Sequence, residues 1–209
     1  QLNKLAESEA VLWMERAPQI KLFDETASKI IGGDSGGHPT YVQSLGYDGS
    51  GVVVSVADSG LHLGTAGDMH PDLFGRVDSF LHYGSTLVDA SDEHSHGTHV
   101  AGIVAGNGAT GETVDYGAPW GLGVAPGAHL VIQRLFDADG AYTPDGPFTF
   151  ELLTRDATTA GADIGSNSWG DDTQGRYDVS AMEYDGLVRD ANHLLPGDQP
   201  YILEFSAGN

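Results

Sequence analysis

One imidazole and one carboxylate in this sequence sit where proton-transfer chemistry could use them. His96 stands in His96-Gly97-Thr98-His99-Val100-Ala101-Gly102, a run of small residues with two glycines. Val100, Ile103 and Val104 then recur at the i, i+3, i+4 spacing of a helix with one apolar face, and Gly106-Asn107-Gly108 supplies a stop. The pattern predicts a helix with His96 at its mouth, held by a rigid element yet facing solvent, as a group that takes and returns a proton must be. Glycines beside the ring leave room for another backbone to approach. Asp58 closes the β-branched run Val52-Val53-Val54-Ser55-Val56-Ala57, which is bounded by Gly51 and by Asp58-Ser59-Gly60. Runs apolar on both faces belong to buried strands of parallel sheets, so Asp58 falls at the carboxyl end of a strand, where open α/β sheets place their sites. Each residue also has a plain structural reading, the His as a capped or solvated group and the Asp as ordinary turn chemistry.

The elements that must position these groups follow in order. A short strand is expected around Val77 to Phe80, and a second buried strand over His129 to Leu135. Phe150, Leu153, Ala157 and Ala160 mark a helix face ended by Gly161, and Ile164 to Ser168 makes the next strand. Ala181, Tyr184, Val188 and Ala191 trace a further helix, and Tyr201 to Ser206 is the last strand. Strands alternating with helices mean a parallel sheet covered by helices on both faces, an α/β fold. Residues 1–31 differ from the rest and read as an arm or edge strand packing on a core of residues 32–209, with Gly32-Gly33-Asp34-Ser35-Gly36-Gly37 as the intervening loop. His70-Pro71-Asp72 and the run Asp89 to Glu93 are expected to be solvated, the second as a possible cation-binding run.

Composition excludes several roles. Nine Lys plus Arg against 30 Asp plus Glu leave a formal charge of −21, which should repel nucleic acid and anionic membranes. No apolar run approaches the length of a membrane span. With no cysteine the chain can have neither a disulfide framework nor thiolate chemistry, a usage in keeping with a secreted protein.

Four blocks, taken in chain order, resemble the subtilisin-like serine proteases: Val54-Ser55-Val56-Ala57-Asp58-Ser59-Gly60, His96 to Gly102, Ser166-Asn167-Ser168-Trp169-Gly170, and Phe205-Ser206-Ala207-Gly208-Asn209. Gly123-Val124-Ala125-Pro126 adds a fifth. The resemblance implies a serine endopeptidase with an incomplete subtilisin-like sheet. It also implies that His96 is the general base and then the acid, with Asp58 holding its tautomer and offsetting the imidazolium charge. Asn209 would donate its side-chain amide to the oxyanion, an interaction whose loss costs about 2.7–4 kcal/mol in a subtilisin. Ser168, Trp169 and Gly170 would form an edge that pairs with the substrate backbone as an added strand. His99 would be a buried structural residue. No cofactor is implied for the chemistry, and structural calcium is compatible with the acidic loops.

The sequence departs from the family in one large respect, since no Gly-Thr-Ser-Met-Ala-type nucleophile block occurs in residues 1–209. The expectation is that a second polypeptide carries the serine and that residues 1–209 alone do not turn over peptides. Two other readings stand beside this one. The chain could be an inactive peptide-binding subtilase module. Alternatively, His94-Ser95-His96-Gly97-Thr98-His99 has the H-x-H-x-x-H spacing of binuclear zinc hydrolases, which would make His94, His96 and His99 ligands, although those enzymes carry Asp where this chain has Thr98.

Overall fold

The computed structural model describes residues 40–114, 117–170 and 175–207. The expected arm over 1–31, the Gly32–Gly37 loop and Asn209 lie outside them. Five strands form one parallel sheet: β1 (Val53–Asp58), β2 (Val77–His82), β3 (His129–Arg134), β4 (Ile164–Asn167) and β5 (Ile202–Phe205), in the spatial order β2-β3-β1-β4-β5. The helices are α1 (Tyr41–Ser44), α2 (His96–Ala105), α3 (Phe150–Thr159) and α4 (Val179–Leu187). The single turn of α1, closed by a Thr40–Gln43 capping box, has no counterpart in the hydrophobic pattern.

β1 and β3 are the two strands buried along almost their whole length, because both of their faces are covered. Val54, Val56, Leu130 and Ile132 pack with Ala101 and Ala105 of α2 on one face. Ala57, Val131 and Leu135 pack with Leu153 and Ala157 of α3 on the other. That second face also holds a satisfied polar chain: the Ser55 hydroxyl donates to Gln133 Oε1 (2.5 Å), and Gln133 Nε2 donates to the Tyr83 hydroxyl and the Leu153 carbonyl (both 2.8 Å). The β2-α2-β3 and β3-α3-β4 connections advance in the same direction across the sheet, yet their helices lie on opposite faces. One of the two crossovers is therefore left-handed, an exception to a strong rule of parallel sheets.

Several expectations need correction. The inward face of α2 is Gly97, Ala101 and Ala105, while Ile103 is exposed and Val100 and Val104 flank the contact. Small residues at every fourth position let the helix axis lie close to the sheet, which larger side chains would prevent. In α4 only Leu187 is buried, Val188 is exposed, and Ala191 is buried beyond the helix end, so that face is shorter than the apolar spacing suggests. Asp72 is buried, not solvated, with its backbone carbonyl accepting from the Asn107 amide.

Candidate active site

The sheet delivers Asp58 and the first turn of α2 to the same place. Asp58 ends the central strand and is 2 % exposed. His96 begins α2, and its side chain is 46 % exposed. Their atoms Oδ1 and Nδ1 are 2.7 Å apart. A buried carboxylate at that distance takes the Nδ1 proton as a donor, which leaves Nε2 as the basic nitrogen on the open side. Asp58 Oδ1 also accepts from the Ser59 amide (2.7 Å), while Oδ2 is buried with no partner among the described residues. The carboxylate charge is thus answered mainly by the imidazole, which suits it to stabilise an imidazolium.

Glycine makes this approach possible. A Cβ on Gly97 would lie 2.3 Å from the Gly60 carbonyl oxygen and 3.2 Å from Asp58 Cβ. Gly60 has φ +111, and a Cβ there would lie 2.5 Å from the Ser91 carbonyl oxygen. The two backbones meet at distances that no side chain permits.

Ser168 and Trp169 line a cleft of about 180 Å³ together with Asp58, Ser59, His94, His96, Phe136 and Gly140. Gly170 lies outside it, on a larger neighbouring cleft of about 740 Å³ that shares Phe136 and Trp169. Trp169 is fixed by an Nε1 hydrogen bond to the Ala57 carbonyl (3.0 Å) and by ring contacts with Phe136, Tyr142, Phe150, Tyr184 and Phe205. Burial, then the Glu183 carboxylate, pushes the Tyr142 phenol up to about 12, so it stays neutral beside the indole. Among the described residues, no hydrogen bond engages the main-chain groups of Ser168, Trp169 or Gly170, the condition an open edge requires.

The other candidates fall elsewhere. His99 is exposed and lines a separate cleft with His70, Ile103 and Trp120, so it is neither buried nor beside His96 Nδ1. His94 stands edge-on to His96 with centroids 6.2 Å apart. Among the described residues no group of three His, Asp or Glu side chains could hold a metal, so the zinc arrangement of His94, His96 and His99 is not formed. The acidic run 89–93 is engaged by the protein itself. Arg134, 1 % exposed, donates to Ser91 Oγ (3.1 Å) and Glu93 Oε2 (2.8 Å) and lies 3.7 Å from Asp89, and Asp92 accepts from Ser59 and Thr98. Sequence reasoning missed Arg134 and Asp92 because nothing in their spacing distinguishes a tethered charge from a solvated one.

Comparison with known proteins agrees with the parallel α/β fold. The model of the subtilase family matches residues 49–209. Subtilisin-like protease 2 of Pseudogymnoascus destructans is 33% identical over 155 residues, covering 69% of this chain and 33% of the relative. Fervidolysin of Fervidobacterium pennivorans is 29% identical over 182 residues, covering 76% of this chain and 24% of the relative. Subtilisin E of Bacillus subtilis is 37% identical over 106 residues, covering 48% of this chain and 23% of the relative. The chain thus spans a third or less of these relatives' length. By the extent of the match and by its parallel α/β sheet, the chain belongs to the subtilase family.

Proposed function

We propose that these residues form the Asp–His part of a serine endopeptidase. The observation that carries the reading is the 2.7 Å contact between a buried Asp58 and a half-exposed His96 inside a cleft walled by Ser168 and Trp169. His96 Nε2 takes the proton of a serine hydroxyl as that oxygen attacks the scissile carbonyl, then returns it to the leaving amine. Asp58 keeps the ring in the required tautomer and stabilises the imidazolium. Asn209 supplies the oxyanion donor, and the unpaired edge Ser168-Trp169-Gly170 holds the peptide as an added strand.

The nucleophile comes from polypeptide outside residues 1–209, whether a continuation of the same chain or a separate one. Residues 1–209 alone then bind peptide without cleaving it. Calcium has no part in this chemistry, and no residue is assigned to it. We place the protein outside the cell, in keeping with its lack of cysteine; among the described residues no helix is long and apolar enough to cross a membrane.

The test is labelling by a fluorophosphonate of residues 1–209 and of the full-length protein, with the modified residue located by mass spectrometry. The expected result is a single labelled serine beyond residue 209 and no labelling of the shorter polypeptide. A labelled serine within residues 1–209, or no labelling of either, overturns the reading.

A further inference from the structure

Asp92 does not itself line the cleft, yet it is bound to both elements that carry the pair. Its Oδ1 accepts from the Ser59 hydroxyl (2.8 Å) and from the amides of His94 (3.1 Å) and Ser95 (2.8 Å). Its Oδ2 accepts from the Thr98 amide (2.7 Å) and hydroxyl (2.6 Å). Two of those partners pass the connection on. The Ser59 hydroxyl oxygen accepts from the Gly97 amide (2.8 Å), and the Ser59 amide donates to Asp58 Oδ1. Thr98 Oγ1 accepts from the His62 amide (2.9 Å) on the loop that follows β1.

The need for a remote acceptor follows from the backbone. Ser95, at the N-cap position of α2, is left-handed with φ 77, and its side chain makes no cap hydrogen bond. Ser59 takes the Gly97 amide, and Asp92, three residues upstream of the N-cap, takes the amides of Ser95 and Thr98. Burial tends to raise its carboxyl, but the hydrogen bonds from Thr98, Ser59 and Ser95 outweigh it and hold the group below the usual Asp range. A carboxylate accepts at both oxygens; an amide of the same shape presents one oxygen and one donor. No neutral isostere can take all five donors.

We propose that Asp92 is a positioning residue for the Asp58–His96 pair, tying the end of β1 to the first turn of α2 and so fixing the distance between the two catalytic groups. Its effect on turnover rests on the endopeptidase reading, whereas its effect on the pair's hydrogen bond does not.

The experiment uses the full-length protein and the variants D92N, T98V, T98S and E93Q. Two quantities are read: kcat and KM on a peptide substrate, and solvent exchange of the low-field Nδ1–H proton of His96 by NMR. Misplacing the ring should lower kcat about 10- to 100-fold in D92N with KM within about twofold, since the substrate edge is untouched. The Nδ1–H should exchange faster in D92N. T98V should move both quantities in the same direction, and T98S, which keeps the hydroxyl, should restore them. E93Q, in the same loop but bound to Arg134, should match the wild type. Wild-type kcat and Nδ1–H exchange in D92N overturn the proposal, as does a loss in T98V that T98S fails to restore. Should D92N not fold, the Thr98 pair decides. If the wild type hydrolyses no peptide, the endopeptidase reading fails, and the exchange rates alone still support or overturn the positioning role.

Discussion

Two carboxylate–imidazole pairs with nearly the same local geometry stand at opposite ends of the sheet. At the carboxyl end, His96 Nδ1 meets Asp58 Oδ1 at 2.7 Å; at the amino end, His129 Nδ1 meets Asp78 Oδ1 at 2.8 Å. Distance does not distinguish them. Burial does, since the Asp58 side chain is 3 % exposed and that of Asp78 is 41 % exposed. Water competes for both members of the outer pair and screens their charges, so that contact contributes little. The inner carboxyl group is shielded from solvent, so an opposite charge developing on the ring beside it is screened far less. The inner pair also opens onto a cleft beside an unpaired backbone edge. The outer pair links β2 to β3 at their amino ends.

The comparison can be broken by asking the two pairs to do the same work. Asp58→Asn should lower kcat of the full-length protein about 10⁴-fold, the scale of losing the orienting acid of a triad. Asp78→Asn should leave kcat unchanged and cost no more than about 1 kcal/mol of stability, as surface pairs do. Steady-state kinetics and urea unfolding on both variants check this. Gly97→Ala comes next. Its Cβ cannot coexist with the Gly60 carbonyl where it stands, so the helix start must shift away from Asp58, destabilising the fold by about 1–3 kcal/mol and lowering kcat with it. Trp169→Ala should raise KM about tenfold while sparing kcat, the effect of losing roughly 1.4 kcal/mol of substrate contact, read from the same kinetics.

The smallest effect is in acid. Because Asp92 titrates below its ordinary range when folded, its contribution to stability is complete above the usual Asp value near pH 4. It is lost as pH falls through the lower folded value. The stability gap between wild type and Asp92→Asn should therefore be constant at neutral pH and narrow below about pH 4, as thermal melts across that range would show.

The two central strands and the helix start were legible in the amino-acid order because each follows one strong rule. An unbroken β-branched run fits a strand covered on both faces, and Gly161 follows the end of α3 as expected, while the Thr149 cap at its start is seen only in the structure. The inward face of α2 was misread because hydrophobicity favours Val and Ile, whereas close packing on a sheet favours Gly and Ala. Likewise Ala191 belongs to the apolar spacing of α4 but is buried after the helix ends. In the site, Asp58 and His96 lie at element ends, where the sequence marks them. Asp92, Arg134 and the ring cluster around Trp169 depend on contacts between segments far apart in the chain, which no local periodicity encodes.

The most direct measurement is the rate at which a fluorophosphonate phosphonylates serine, with loss of fluoride, in full-length His96→Ala and His129→Ala. Removing the imidazole of the buried pair should abolish labelling, while removing that of the exposed pair should leave the wild-type rate. Equal rates in the two variants would contradict that expectation.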